Sequence, residues 1–238
     1  MTPPHWSVVI PAYNEARRLP PYLDEVCAFF DGRGEPYEVL VVDDGSTDGT
    51  ADVVRARRHA AVRLIGFPAN QGKGAAVRAG ILAAAGRYRL FTDADGATPI
   101  AELKRLEPPI LAGADVAVAS RVLVDPTVSV VARRHRVVAG GVFRYLIERL
   151  GLGVVADSQC GFKAFRAEAA EVLFRRLRTP GFGFDVEVLW HARALGYRIV
   201  EVPVNWTDQP GGKVGVLTAG PRMLGEILRM RWLVGSRR

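Results

Sequence analysis

Two cysteines in 238 residues, Cys27 and Cys160, are too few and too far apart for a disulfide framework, and they stand in no metal-ligand spacing. A reducing compartment is therefore expected. Nowhere do about 18 apolar residues follow one another without interruption, so no membrane-spanning helix is expected, and no secretory leader is expected ahead of the first strand-like run. An excess of negative charge is also missing: 32 Lys and Arg face 25 Asp and Glu, for a formal net charge of +7. That balance favours an anionic partner such as a nucleotide, a nucleic acid or an anionic membrane face. Nucleic acid ranks last of the three, because no nucleic-acid motif is present and the basic residues cluster in segments that also carry apolar faces.

Glycine is absent from "PAYNEARRLP" near the N-terminus, which argues against a sugar nucleotidyltransferase and its glycine-rich pyrophosphate loop. A P-loop is absent too. In "GFPANQGKG", Gly66 and Gly72 have five residues between them rather than four, and Gly74 stands where a Ser or Thr would hold Mg²⁺. Lys73, at the start of a helical pattern, either meets a phosphate or stays solvated.

What is present is an alternation of short β-branched runs with longer helical patterns, the signature of βαβ units and a parallel sheet. Strands are expected at Ser7–Ile10, Glu38–Val42, Val62–Gly66, Tyr88–Thr92 and Asp115–Ala119. Helices are expected at Glu15–Phe30, Asp48–His59, Lys73–Ala85 and Ile100–Ala112. Runs such as "VLVV" fit a sheet covered on both faces. After about Thr127 come a basic helical segment at Val131–Leu150, helices at Ala167–Arg176 and Phe184–Leu195, a strand at Arg198–Val202, and an apolar, arginine-bearing tail at Val216–Val234.

Ligands of such sheets bind outside the carboxyl ends of the strands. Polar clusters follow the first four strands in turn: "PAYNE", "DDGSTDGT", "NQGKG" and "DADG". Each has a plain structural reading, and "DDGSTDGT" could be only a turn with a helix cap at Ser46 or Thr47. Four such clusters at one edge point to a ligand. Asp93 and Asp95 repel each other with no Lys or Arg beside them in the sequence, so a cation is expected from outside. Mg²⁺ prefers one or two carboxylates completed by phosphate oxygens and water, which makes a metal-bound nucleotide diphosphate the fitting ligand. Asp95 is the better placed for direct ligation, while Asp93 reaches ribose or a metal-bound water. Asp43 and Asp44 are expected to accept hydrogen bonds from base and ribose, since a buried carboxylate without a donor is costly. Glu15 either recognises the base or favours its helix dipole.

The ordered set "VVIPAYNE", "VVDDGSTDGT", "NQGKGAAVRAG" and "TDADGATP" resembles the nucleotide-sugar-binding half of the family 2 inverting glycosyltransferases, which have the GT-A fold. Downstream, "DSQCGFKAF", "FGFDVEVLWHARALGYRIVEVPVNW" and Gly211–Lys213 resemble more narrowly the dolichyl-phosphate β-glucosyltransferases. The resemblance implies an α/β GT-A domain over residues 1–214, with a mostly parallel central sheet flanked by helices. Residues 1–120 would form the donor half, 121–214 the acceptor half, and 215–238 a C-terminal amphipathic basic helix. By the same resemblance Pro11, Ala12, Tyr13, Glu15, Asp43, Asp44, Lys73, Ala94 and Gln159 border the nucleotide sugar. Asp93 and Asp95 form the metal-binding DXD element for Mg²⁺ or Mn²⁺. Arg121, with Arg133 or Arg134, meets the acceptor phosphate, Asp157 orients acceptor or sugar, and Gln159–Lys163 line the sugar pocket.

The implied reaction transfers a hexose, glucose foremost, from a uridine- or guanosine-diphosphate sugar to a polyprenyl or dolichyl phosphate. The implied setting is the cytoplasmic face of a membrane, with Val131–Leu150 and Val216–Val234 as interfacial helices or, alternatively, as parts of the core or a dimer interface. A soluble or protein-bound hydroxyl acceptor is the competing reading, and it would require a catalytic base.

Overall fold

The computed structural model describes residues 3–210 and 223–230, and within that range it leaves the side chains at 134–136 and 139 undescribed. The first half opens with β1 (Trp6–Ala12), α1 (Leu19–Asp31), β2 (Tyr37–Asp43), α2 (Thr50–Ala56), β3 (Val62–Gly66), α3 (Lys73–Ala83) and β4 (Tyr88–Thr92). A 3₁₀ turn at Ile100–Glu102 leads into α4 (Leu103–Leu111) and β5 (Val116–Ser120). The second half contains β6 (Val130–Val131), α5 (Arg134–Arg149), β7 (Phe162–Arg166), α6 (Ala167–Arg176), α7 (Phe184–Ala194), β8 (Ile199–Pro203) and β9 (Trp206–Thr207).

Seven strands form one sheet in the order β3-β2-β1-β4-β7-β5-β8, and β6 pairs with β9 in a separate two-stranded ribbon. All neighbours in the large sheet are parallel except β7, which runs antiparallel to both β4 and β5. The register places Ala12 beside Asp43 and Thr92 beside Phe162. The carboxyl ends of β1, β2 and β4 therefore share an edge with the start of β7. That edge carries the site.

Apolar residues cover both faces of the sheet. On one face Ile10, Val41 and Leu90 pack with Leu23 and Phe30 of α1 and Leu106 of α4. On the other, Val9, Leu40 and Phe91 pack with Val77 of α3, Phe174 of α6 and Leu189 of α7. Two covered faces account for the unbroken apolar strands. A smaller cluster joins Ile147 of α5, Val186 of α7 and Met223, Ile227 and Met230 of the helix over 223–230. In the described part of the tail Met223, Ile227 and Met230 thus face the protein core, while Leu228 is exposed. The rest of the Val216–Val234 segment and Gly211–Lys213 lie outside the described residues.

Several boundaries differ from expectation. Helix α1 begins at Leu19 rather than Glu15, because Asn14 takes a left-handed backbone and residues 13–18 form a loop over the edge. Strand β7 escapes sequence reading because Lys163 stands where alternation would put an apolar residue. It is buried all the same, bonded to Asp185 of α7 and to the carbonyl of Cys160 2.6 Å away. Both cysteines are free and buried.

Candidate active site

The loops after β1 and β2 are sewn together. Asn14 donates its amide to Ser46 Oγ (2.8 Å) and accepts from the Thr47 amide (2.7 Å), while the Glu15 amide donates to Thr50 Oγ1 (2.8 Å). Ser46 and Thr47 thus tie loops, and Gly49, not either of them, is the N-cap of α2. Pro11 and Ala12 are the last residues of β1, with Tyr13 exposed beyond them. Asp43 is buried at the end of β2 and accepts the Ser46 amide at 3.1 Å. Asp44 is engaged more fully: its oxygens accept from the amides of Gln71 (2.7 Å) and Gly72 (2.9 Å) and from Asn70 Nδ2 (2.9 Å). It anchors the β3–α3 loop that presents Lys73. Burial nevertheless raises its pKa above the ordinary carboxylate value, against the two backbone donors.

After β4, the Asp93 amide donates to the Gly161 carbonyl at 3.0 Å, which pins the start of the Asp93–Asp95 turn to the loop before β7. A Cβ at Gly161 would overlap the Asp93 carboxylate, which would have to shift to admit it. Ala94 is buried in the turn, and Asp95 Oδ1 accepts the Ala97 amide at 3.1 Å. Tyr22 braces this loop: its hydroxyl sits 2.7 Å from Thr92 Oγ1 and donates to the Thr98 carbonyl at 3.3 Å.

The expectation that no basic residue neutralises Asp93 and Asp95 is wrong in three dimensions. Lys73 Nζ lies 2.7 Å from Asp93 Oδ1, and Arg18 Nη1 lies 3.6 Å from Asp95 Oδ2. Arg18 also grips Glu15 through Nε (2.7 Å) and Nη2. Even so, burial and the charge of Asp93 raise the pKa of Asp95, outweighing Ala97, Arg18 and Lys73. For Lys73, burial acts to lower the pKa, and Asp93 and Asp185 outweigh it. Among the described residues no group of three or more His, Cys, Asp or Glu side chains is placed to hold a metal ion. A pair of carboxylates fits a Mg²⁺ or Mn²⁺ whose remaining ligands are phosphate and water oxygens, not a metal caged by protein alone.

Across the edge, Arg121 follows β5 and meets Asp157 in a fork, Nε to Oδ2 at 2.7 Å and Nη2 to Oδ1 at 2.8 Å. Trp206 of β9 lies under the guanidinium, 5.4 Å from ring centre to Cζ. Glu201 of β8 holds the other side of the loop by accepting the amides of Ala156 and Asp157, both at 2.8 Å. Burial works to raise the pKa of Asp157, but the hydrogen bonds and charge of Arg121 prevail and depress it. Arg133 pairs with buried Asp208 at 3.3 Å, and the Arg134 side chain lies outside the described residues.

Of the Gln159–Lys163 segment, Gly161 meets Asp93 through its carbonyl. Gln159 Nε2 donates to Met223 Sδ at 3.4 Å, while Cys160, Phe162 and Lys163 are buried. Tyr22, Arg18, Glu201 and Trp206 were not singled out by sequence. Their partners are distant in the chain, and the one local signal was the i,i+3 spacing of Glu15 and Arg18.

The model for "Glycosyl transferase family 2" matches residues 7–174. A dolichyl-phosphate beta-glucosyltransferase of Dictyostelium discoideum is 36% identical over 95% of this chain and 73% of its own length. A Homo sapiens protein of the same name is 36% identical over 97% of this chain and 76% of its own. Among solved structures, glucosyl-3-phosphoglycerate synthase of Mycobacterium tuberculosis in complex with Mn²⁺ and UDP-glucose superposes with a TM-score of 0.73 at 24% identity, covering 96% of this chain and 79% of that one. Mannosyl-3-phosphoglycerate synthase of Rubrobacter xylanophilus gives 0.66 at 20% identity, over 99% and 76%. At those identities the likeness establishes the fold, which is GT-A. The family model and these relatives show that the chain, which carries the Asp93–Asp95 pair on one flank of β7 and the Arg121–Asp157 fork on the other, is a glycosyltransferase, and it belongs to glycosyl transferase family 2.

Proposed function

We propose that the protein transfers glucose from UDP-glucose to a polyprenyl or dolichyl phosphate, with inversion at the anomeric carbon and with Mg²⁺ or Mn²⁺ required. One observation carries the choice of acceptor: Asp157 is bound in a fork by Arg121 and its pKa is depressed. A hydroxyl acceptor needs a base to take its proton. An ion-paired carboxylate of low basicity is poorly suited to that task. A phosphate acceptor is already anionic near neutral pH and needs only to be held, which the remaining edge of the Arg121 guanidinium can do. The names of the relatives point the same way.

In this reading Glu15 and Asp43 face the base and ribose, and Asp93 and Asp95 hold the metal. When bound, the metal neutralises the departing diphosphate as a Lewis acid. Arg121 holds the acceptor phosphate in line with the anomeric carbon, and Asp157 fixes the direction of that guanidinium. Gly161 lets the sugar-side loop close against Asp93. The lipid is received at α5, where Val137, Val138, Val142 and Tyr145 are exposed beside Arg144 and Arg149, and near Val124, Val130 and Val131. No helix among the described residues is long and apolar enough to cross a membrane, so contact at the membrane surface, on its cytoplasmic side, is the proposed arrangement.

The test is incubation with radiolabelled UDP-glucose and polyprenyl phosphate, followed by organic extraction. Label in the organic phase that disappears with EDTA, and falls about a hundredfold or more in Asp95→Asn, is expected. Label found only on soluble hydroxyl acceptors overturns the lipid-phosphate reading, and full activity in EDTA overturns the metal.

A further inference from the structure

Each carboxylate of the Asp93–Asp95 pair has a cation of the chain's own against it, and the two contacts differ in kind. Lys73 makes a charge-assisted contact of 2.7 Å with Asp93, and its ammonium is flanked by the rings of Phe91 and Phe182 at 5.2 and 5.8 Å. Arg18 approaches Asp95 only to 3.6 Å, too far for a hydrogen bond. Its Nη1 is buried without a hydrogen-bond partner, although Nε and Nη2 are bonded to Glu15. A buried N–H left without an acceptor costs free energy, so this one gains from any oxygen brought within reach. To a lone divalent cation the protein therefore offers two carboxylates that each already face a cation of the chain, and two positive groups that repel it.

We infer that Lys73 and Arg18 are placeholder cations: they hold the Asp93 and Asp95 side chains in place until a divalent cation arrives together with a nucleoside diphosphate. The inference rests on the nucleotide-sugar reading of the donor site. The diphosphate brings both the oxygens that complete the metal's shell and the negative charge that draws Lys73 and Arg18 away from the carboxylates. Both are positioning residues and not metal ligands. Metal and diphosphate then bind as a unit, each tightening the other by the same factor. The Glu15–Arg18–Asp95 series links the base end of the donor to its phosphate end.

The test is Mn²⁺ binding, followed by the paramagnetic resonance of the free ion, with and without UDP or GDP. It compares wild type with Lys73→Met and Arg18→Met, and with Lys73→Arg and Arg18→Lys as variants that keep the charge. Circular dichroism and thermal melting establish that each variant folds. Wild type is expected to bind Mn²⁺ at least about tenfold more tightly when the diphosphate is present. Each Met variant should bind Mn²⁺ alone about three- to tenfold more tightly than wild type, because a like charge has gone, yet bind the diphosphate more weakly. The charge-keeping variants should follow wild type. Weakening of Mn²⁺ and diphosphate binding together, or Mn²⁺ affinity unchanged in both Met variants, overturns the placeholder role and leaves the donor reading standing. Failure of wild type to bind UDP or GDP, with or without Mn²⁺, overturns the donor reading and the inference with it.

Discussion

Asp157 accepts three hydrogen bonds from one residue: Nε and Nη2 of Arg121 at 2.7 and 2.8 Å, and the backbone amide of Arg121 at 2.9 Å. The carboxylate thereby fixes both the side chain and the chain direction just beyond β5. Arg121→Ala should lower transfer to lipid phosphate while leaving UDP binding nearly unchanged. Loss of a charge-assisted contact there corresponds to about 1.5–3 kcal/mol, or roughly 10- to 150-fold in rate. Steady-state transfer and calorimetric UDP binding separate the two effects, and loss of UDP affinity instead would assign the arginine to the donor site.

The same pair sets an acid limit to stability. Because the folded-state pKa of Asp157 is depressed, its contribution is present above the ordinary aspartate value of about 3.9. It is lost as pH falls through the lower, folded value. The melting temperature should therefore show no loss from this group between about pH 5 and 8, and a decline below about pH 4. Arg121→Met should move that decline to higher pH. A melting profile that is superimposable in the variant would show that the pair does not contribute.

Gly161→Ala tests the contact between the loop before β7 and the Asp93–Asp95 turn. The added methyl group has no space beside the Asp93 carboxylate. Metal-dependent transfer should fall on the order of 100-fold from misplacement of about 1 Å, with far-UV circular dichroism unchanged. Wild-type activity would mean that the turn relaxes freely.

Flotation with anionic vesicles at low salt should carry the wild-type protein, and Val138→Glu with Val142→Glu should abolish it. Each basic residue near an anionic leaflet contributes about 1 kcal/mol, so raised salt should weaken the association. Wild type that stays behind in low salt counts against lipid contact at α5.

Reading along the chain located the polar clusters because each is local: a few residues between a strand and a helix. It could not show which clusters meet, since that depends on strand order. Lys73 and Asp93 are brought together by β4 lying beside β1 and α3 packing across it, and nothing near Asp93 in the chain announces a lysine. Strand β7 was hidden for a related reason. Its pattern, Phe162–Lys163–Ala164–Phe165, reads as buried on both faces only when Asp185, on a helix further along, is known to receive the lysine. The tail was ambiguous in a different way. An apolar stripe with arginines fits a lipid surface or a protein surface equally well, and over the described residues Ile227 packs with Ile147 and Val186 while Leu228 stays exposed.

The reversed strand also works as a spacer. Bonded to β4 on one side and β5 on the other, β7 keeps the strands that lead to Asp93 and to Arg121 two strand spacings apart, roughly 10 Å. A displacement with inversion requires attacking and departing groups on opposite sides of one carbon, so under the proposed function that span would act as a gauge block for the reaction. Loops on either flank can then be exchanged for another sugar or another lipid without resetting the line of attack. Grafts that keep Phe162–Arg166 intact should tolerate such exchange, whereas shifting the register of this one strand would disable every donor and every acceptor alike.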